Sequence, residues 1–111
     1  MQSQGVQANA KHSSDNEQET QQEVTTGLGN VTIPAVSSKI DDRTMYELYL
    51  WPFVDAVSAG TASVMCSYNR FNGTCACEND AILNKLLKDE HVFQGYVSPV
   101  DPVKLLSIET C

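Results

Sequence analysis

A short apolar run, Ala62-Ser63-Val64-Met65-Cys66-Ser67-Tyr68, stands between two stretches patterned as amphipathic helices, and this succession limits the fold more than any other feature of the chain. The run reads as a largely buried strand. Before it, Asp41-Asp42-Arg43-Thr44 opens a helix, because Asp or Thr can cap free amides and Thr44 and Glu47 have capping-box spacing. Met45, Leu48, Tyr49, Phe53, Ala56 and Val57 then recur at three- and four-residue steps and form one apolar stripe. Pro52 removes an amide and predicts a kink or split after Trp51, and Gly60 is a natural stop. After the run, residues 80–90 predict a second helix, with Ile82, Leu83, Leu86 and Leu87 on one face and Lys85, Lys88 and Asp89 on the other.

Two weaker strands complete the rhythm. Val6, Ala8 and Ala10 alternate with Gln7 and Asn9 over residues 5–11, and Gln94-Gly95-Tyr96-Val97 looks like the start of another strand. Strand, helix, strand, helix, strand is the succession of a parallel α/β sheet, and no internal repeat or coiled-coil heptad competes with it. Residues 13–29 are Ser, Asn, Gln, Glu, Thr and Gly rich and predict an exposed loop. Val31, Ile33 and Val36 around Pro34 add a little extended structure, and residues 69–79, with Gly73, predict the loop at the carboxyl end of the central strand.

The chain has 111 residues, which bounds it at one small domain. Seven basic residues stand against fourteen acidic ones, for a net charge of -7, and the basic residues are scattered singly. Phosphate backbones and anionic lipid are repelled by such a surface, so neither nucleic acid nor membrane is an expected partner. No apolar run approaches the roughly 20 residues of a membrane helix, and the amino end lacks the basic and apolar regions of a secretion signal. The four cysteines, Cys66, Cys75, Cys77 and Cys111, contain no Cys-x-x-Cys and no nearby His, so no metal is expected, and no cofactor motif is present. Asn30-Val31-Thr32 and Asn72-Gly73-Thr74 are glycosylation sequons, which fit a secretory compartment.

Longer strings carry more information than periodicity. Lys11-His12 is followed by Asn16-Glu17-Gln18-Glu19; Ile40-Asp41-Asp42-Arg43-Thr44-Met45-Tyr46-Glu47-Leu48-Tyr49-Leu50-Trp51-Pro52-Phe53 comes next, then Ser63-Val64-Met65-Cys66-Ser67-Tyr68-Asn69. Ala76-Cys77-Glu78-Asn79, Leu83-Asn84-Lys85-Leu86-Leu87-Lys88-Asp89-Glu90 and Phe93-Gln94-Gly95-Tyr96-Val97 follow in order. Together these strings resemble fungal β-glucosidases of glycoside hydrolase family 3, over roughly residues 2–97. The resemblance implies a piece of a (β/α)8 barrel, two to three βα units and therefore incomplete, from an extracellular enzyme. It also implies removal of terminal β-linked glucose from cellobiose and cello-oligosaccharides with retention of configuration, by two carboxyl groups.

Carried over residue by residue, the family's Lys-His pair falls on Lys11 and His12, which would bind sugar hydroxyls. Met65 and Tyr68 match the family's Met-Cys-Ser-Tyr string, where the Met lines the glucose subsite and the Tyr lies near the nucleophile. A surface Lys-His pair and ordinary strand packing of Met65 are the competing readings. Ser13-Ser14-Asp15 depart from the family, which usually has aromatic or apolar residues after the His. Cys66 and Cys77 occupy family cysteine positions, so the resemblance implies a disulfide there; Cys75 and Cys111 fall outside the pattern.

The family's nucleophile register is held here by Val100, whose side chain has no lone pair, and Asp101 is one residue late, which turns it to the opposite face of a strand. Residues 98–111 are expected to be a non-homologous, disordered tail produced by a changed reading frame or splice junction, and Met1 an internal codon taken as a start. The acid/base Glu of the family lies in a later domain, so the chain alone is expected to be inactive and, with strand edges uncovered, to self-associate. A reading from another class is a small secreted sugar-binding module that uses Lys11, His12 and Tyr68 without catalysis.

Overall fold

The computed structural model describes residues 1–17 and 19–99; Val100, Asp101 and Cys111 lie outside the described residues, as does most of the stretch expected to be a tail. Three parallel strands form the main sheet: β1 (Asn9–Ser13), β5 (Ser63–Cys66) and β8 (Tyr96–Ser98), in the order β1-β5-β8. Five two-residue strands, joined in three pairings, and one helical layer accompany it among the described residues. β2 (Thr25–Thr26) and β3 (Thr32–Ile33) form an antiparallel hairpin. β4 (Ser37–Ser38) lies parallel to β6 (Arg70–Phe71), which turns back into β7 (Thr74–Cys75). The chain is thus α/β, and no barrel closes among the described residues.

Parallel pairing aligns Ala10, Val64 and Val97 across the sheet. Their common face packs on Phe53, Leu87 and Phe93, with Val57 and Leu83 at the margin. Burial of these side chains is the main source of stability, at about 1.5–3 kcal/mol for each large one. The opposite face carries Asn9, Lys11, Ser63, Met65, Tyr96 and Ser98, and the Asn9 amide donates to Ser98 Oγ at 3.0 Å. Helices therefore cover one face of this sheet and leave the other polar.

The first helical stretch has three pieces: α1 (Asp42–Thr44), a wider turn over Met45–Tyr49, and α2 (Trp51–Ser58). Asp41, not Thr44, is the cap: its carboxylate accepts from Thr44 N at 3.0 Å and from Thr44 Oγ1 at 2.8 Å. Glu47 pairs instead with Arg43, at 3.1 Å on an exposed surface. Pro52 sits in the first turn of α2, as its missing amide demands. The stripe expected through Leu48 is displaced. Leu50 N bonds to Met45 O at 2.8 Å, a five-residue step that shifts the phase of the helix. Those two are buried, and Leu48 is exposed. Gly60, at φ 80°, closes the stretch with its amide on Val57 O.

α3 (Ala81–Glu90) follows the same physics, with Ile82 and Leu87 fully buried and Asn79 Oδ1 accepting from Ile82 N at 3.2 Å. Lys88 departs from the solvent face expected of it. Its ammonium donates to Gly95 O at 2.6 Å and lies 5.5 Å from the Phe93 ring centre, joining α3 to the approach to β8.

Three further expectations give way to tertiary pairing. β1 begins at Asn9 rather than Gly5, because only residues 9–13 find partners on β5, and Val6 is left exposed. Ser13, Ser14 and Asp15, expected in an exposed loop, are buried beneath the segment after β5. The loop at residues 69–79 contains a tight hairpin: Asn72 and Gly73, at φ 47° and 93°, supply the paired left-handed conformations of a two-residue turn.

Candidate functional site

The carboxyl ends of β1 and β5 bring the four expected site residues together. Lys11 and Met65 are register partners on the polar face of the sheet. Beyond them the pairing slips, since Ser13 is the next residue in register with Cys66 and His12 is the extra residue on β1. Such a bulge turns a side chain out of the regular alternation, and it occurs next to functional sites in many sheets. His12 and Tyr68 consequently meet, with ring centroids 6.5 Å apart and planes tilted by 41°.

Burial lowers the pKa of His12, the Lys11 ammonium lowers it further, and Glu19 partly opposes both. A neutral imidazole offers one donor and one acceptor, and Lys11 adds an exposed cationic donor beside it. Half-buried Met65 and Tyr68 contribute apolar surface, with the phenol oxygen at the tip. This combination of an apolar wall with a few directed polar groups suits a neutral polyhydroxylated ligand better than an ion.

The loops behind this pair are tied together by side chains that composition did not single out. Ser67 N donates to Ser13 O at 2.8 Å, Ser67 Oγ to Ser14 O at 3.0 Å, and Asn69 Nδ2 to Asp15 O at 3.3 Å. Asp15 is buried; among the described residues Ser14 Oγ, at 3.0 Å, donates to its Oδ2 and its Oδ1 has no partner. Burial pushes the Asp15 carboxyl up to about 6, against a small lowering from Ser14, and the charge of Glu17 adds to the rise. Tyr49 is pushed up to about 12, chiefly by its hydrogen bond to Glu17. A Ser-Ser-Asp run in a polar stretch carries no periodic signal of burial, so the sequence offered no sign of this network.

Cys66 and Cys77 are disulfide-bonded, with Cα atoms 5.2 Å apart, which fastens the end of β5 to the segment after β7. Cys75 is also disulfide-bonded. Asn30 is exposed in the β2–β3 turn, and Asn72, in the β6–β7 turn, pairs with Ile40 N and O at 3.3 and 3.4 Å. Among the described residues no three His, Cys, Asp or Glu side chains converge to hold a metal, and no helix is long and apolar enough to cross a membrane.

Residues 1–108 match the profile of the glycosyl hydrolase family 3 N terminal domain, a stretch that runs beyond Val97, where the recognisable strings end. The probable beta-glucosidase L of Aspergillus terreus is 58% identical over 97 residues, covering 87% of this chain and 12% of its own length. The structure of Chaetomium thermophilum beta-glucosidase superposes with a TM-score of 0.76 at 52% identity, over 85% of this chain and 11% of that one. Beta-glucosidase 3B from Thermotoga neapolitana, solved in complex with glucose, gives 0.74 at 34% identity over 88% and 12%. The chain thus spans about an eighth of the proteins it matches. With the profile, the sequence identity and the superposed backbone in agreement, the chain belongs to glycosyl hydrolase family 3, within that family's N terminal domain.

Proposed function

We propose that this segment forms one wall of the glucose subsite of a family 3 β-glucosidase and does not cleave glycosides by itself. The observation that carries the reading is the convergence of Lys11, His12, Met65 and Tyr68 at the carboxyl ends of two adjacent parallel strands. Loops at that end of a (β/α)8 barrel hold its active site. The polar second face of the sheet supports the barrel reading too. Parallel sheets are normally covered on both faces, and in a barrel the uncovered face is the interior. β1, β5 and β8 with α2 and α3 then correspond to two to three βα units.

In this reading the parent enzyme removes terminal β-D-glucosyl residues from substrates such as cellobiose, and Lys11 and His12 grip sugar hydroxyls while charge develops on the ring. Retaining cleavage needs a nucleophilic carboxylate and an acid/base carboxyl group, and none of the four converging residues is a carboxylate. Secretion and glycosylation of the parent at Asn30 and Asn72 belong to the same reading. The sheet edges at β1 and β8, each paired on one side among the described residues, favour self-association of the isolated chain.

The test is a glucose titration of the isotope-labelled chain followed by NMR, run beside an assay with nitrophenyl β-glucoside. Shifts centred on Lys11, His12, Met65 and Tyr68 without nitrophenol release are expected. Hydrolysis that disappears in a Lys11→Ala variant would overturn the non-catalytic part, and shifts confined to other regions would overturn the subsite.

A further inference from the structure

Asn69 stands outside the four residues of the proposed subsite, yet its side chain bonds three segments next to it. Its side chain is 1% exposed, and its Nδ2 lies within hydrogen-bond distance of Asp15 O at 3.3 Å, Ser38 Oγ at 3.3 Å and Arg70 O at 3.4 Å. Two amide hydrogens reach three oxygens, so one of them is shared. Those oxygens belong to three segments: the loop after β1, strand β4 and strand β6. Ser38 Oγ also donates to Asp15 O at 3.2 Å, closing a triangle around that carbonyl.

We infer that Asn69 is a positioning residue, whose carboxamide fixes the backbone of residues 13–15 and thereby sets His12 against Tyr68. The path is short and runs through hydrogen bonds on both sides of Tyr68, with Asn69 Oδ1 left unpartnered among the described residues. Asn69 follows Tyr68 directly and grips Asp15, three residues after His12, while Ser67, on the other side of Tyr68, grips Ser13 and Ser14. The segment after β5 therefore holds the segment after β1 through alternate residues, with Tyr68 between the two grips. Truncating Asn69 frees Asp15 O and leaves Ser38 to hold it alone, so the loop that follows the His12 bulge loses its anchor. The role depends on the sugar-subsite reading for its purpose, whereas its test reads the imidazole directly and involves no sugar.

The experiment follows the His12 ring by NMR in the full 111-residue chain. Asn69→Ala is expected to raise the His12 titration midpoint toward the ordinary value of 6.5, because the ring becomes better solvated, and to weaken the cross-peaks between His12 and Tyr68. Ser67→Ala, which removes one bond, should move both in the same direction by less and serves if Asn69→Ala does not fold. Leu83→Ala loosens the core without touching either loop and should lower stability with the His12 midpoint unmoved. An unchanged His12 in the folded Asn69 and Ser67 variants, or an equal shift in the Leu83 variant, would overturn the inference. A chain that passes this test and still ignores glucose would sink the subsite reading and leave the clamp standing.

Discussion

Lys11 and Met65 face one another across β1 and β5, and the next residue of β1, His12, leaves the ladder to meet Tyr68. One slip in register thus places a cation, an imidazole, a thioether and a phenol at a single sheet end. The same geometry puts the Lys11 charge close enough to His12 to lower its pKa.

Replacing Lys11 with Met removes that like charge while keeping the length of the aliphatic stem. The His12 midpoint is expected to rise, since the imidazolium no longer faces an ammonium, although burial still holds it below 6.5. Titration of the His12 ring proton in the Lys11→Met variant checks this, and a fall in the midpoint would show that the two side chains do not interact as described. Glucose affinity should drop roughly tenfold or more in the same variant, given about 1.5–3 kcal/mol for a charge-assisted hydrogen bond.

Asp15 makes stability depend on pH in an unusual direction. Its folded pKa of about 6 lies above the ordinary 3.8, so the folded chain takes up a proton that the unfolded chain still lacks. The cost of burying the carboxylate is fully present above pH 6, shrinks as pH falls through 6, and is gone below 3.8. Urea unfolding at pH 4 and pH 7.5 should show this group favouring the acid condition, by roughly 1–2 kcal/mol once solvent screening of the carboxyl is allowed for. Asp15→Asn keeps the shape without the charge, so the variant should gain stability relative to the parent chain at pH 7.5 and little at pH 4. An identical difference at both values would mean that Asp15 is solvated in solution.

Gly95 is fixed by close approach. A Cβ there would strike the Ala62 carbonyl oxygen and the Phe93 ring, and Phe93 is itself held between the core and Lys88. Neither obstacle is the free end of a flexible side chain, so Gly95→Ala must displace β8 or the ring. A loss of about 1–3 kcal/mol is expected by thermal unfolding, the range of overpacked interiors. A neutral effect would indicate that the junction before β8 yields more easily than its packing implies.

The parts legible in the sequence were those where one physical signal dominates. β5 and α3 announced themselves through apolar density and spacing, and Pro52 and Gly60 marked breaks that backbone chemistry enforces. Leu48 was misplaced because a five-residue turn changes the phase of a helix, and no residue type encodes that turn reliably. Ser13, Ser14 and Asp15 resemble any solvated loop, and their burial exists only because Ser67 and Asn69, some fifty positions later, accept the task of bonding their carbonyls. The four candidate site residues are legible only through likeness to long strings in a family. Their convergence is a property of parallel pairing, which local patterns cannot report.

The disulfide between Cys66 and Cys77 offers a last test, because it closes the loop that carries both Tyr68 and Asn69. Crosslinks of similar span stabilise by roughly 3 kcal/mol through restriction of the unfolded chain. The double variant Cys66→Ala/Cys77→Ala should therefore unfold about 2–3 kcal/mol more easily in urea. The effect has a local part as well: Cys66 ends β5 and is the register partner of Ser13, so loosening it loosens the bulge that sets His12 against Tyr68. Amide exchange should rise first at residues 67–79 and at 13–15, while the amides of α2, packed through Phe53 against the far face of the sheet, keep their protection. Uniform loss of protection across both regions would mean that the strand-end loops and the core unfold as one unit, and that the crosslink acts on the whole chain rather than on the site.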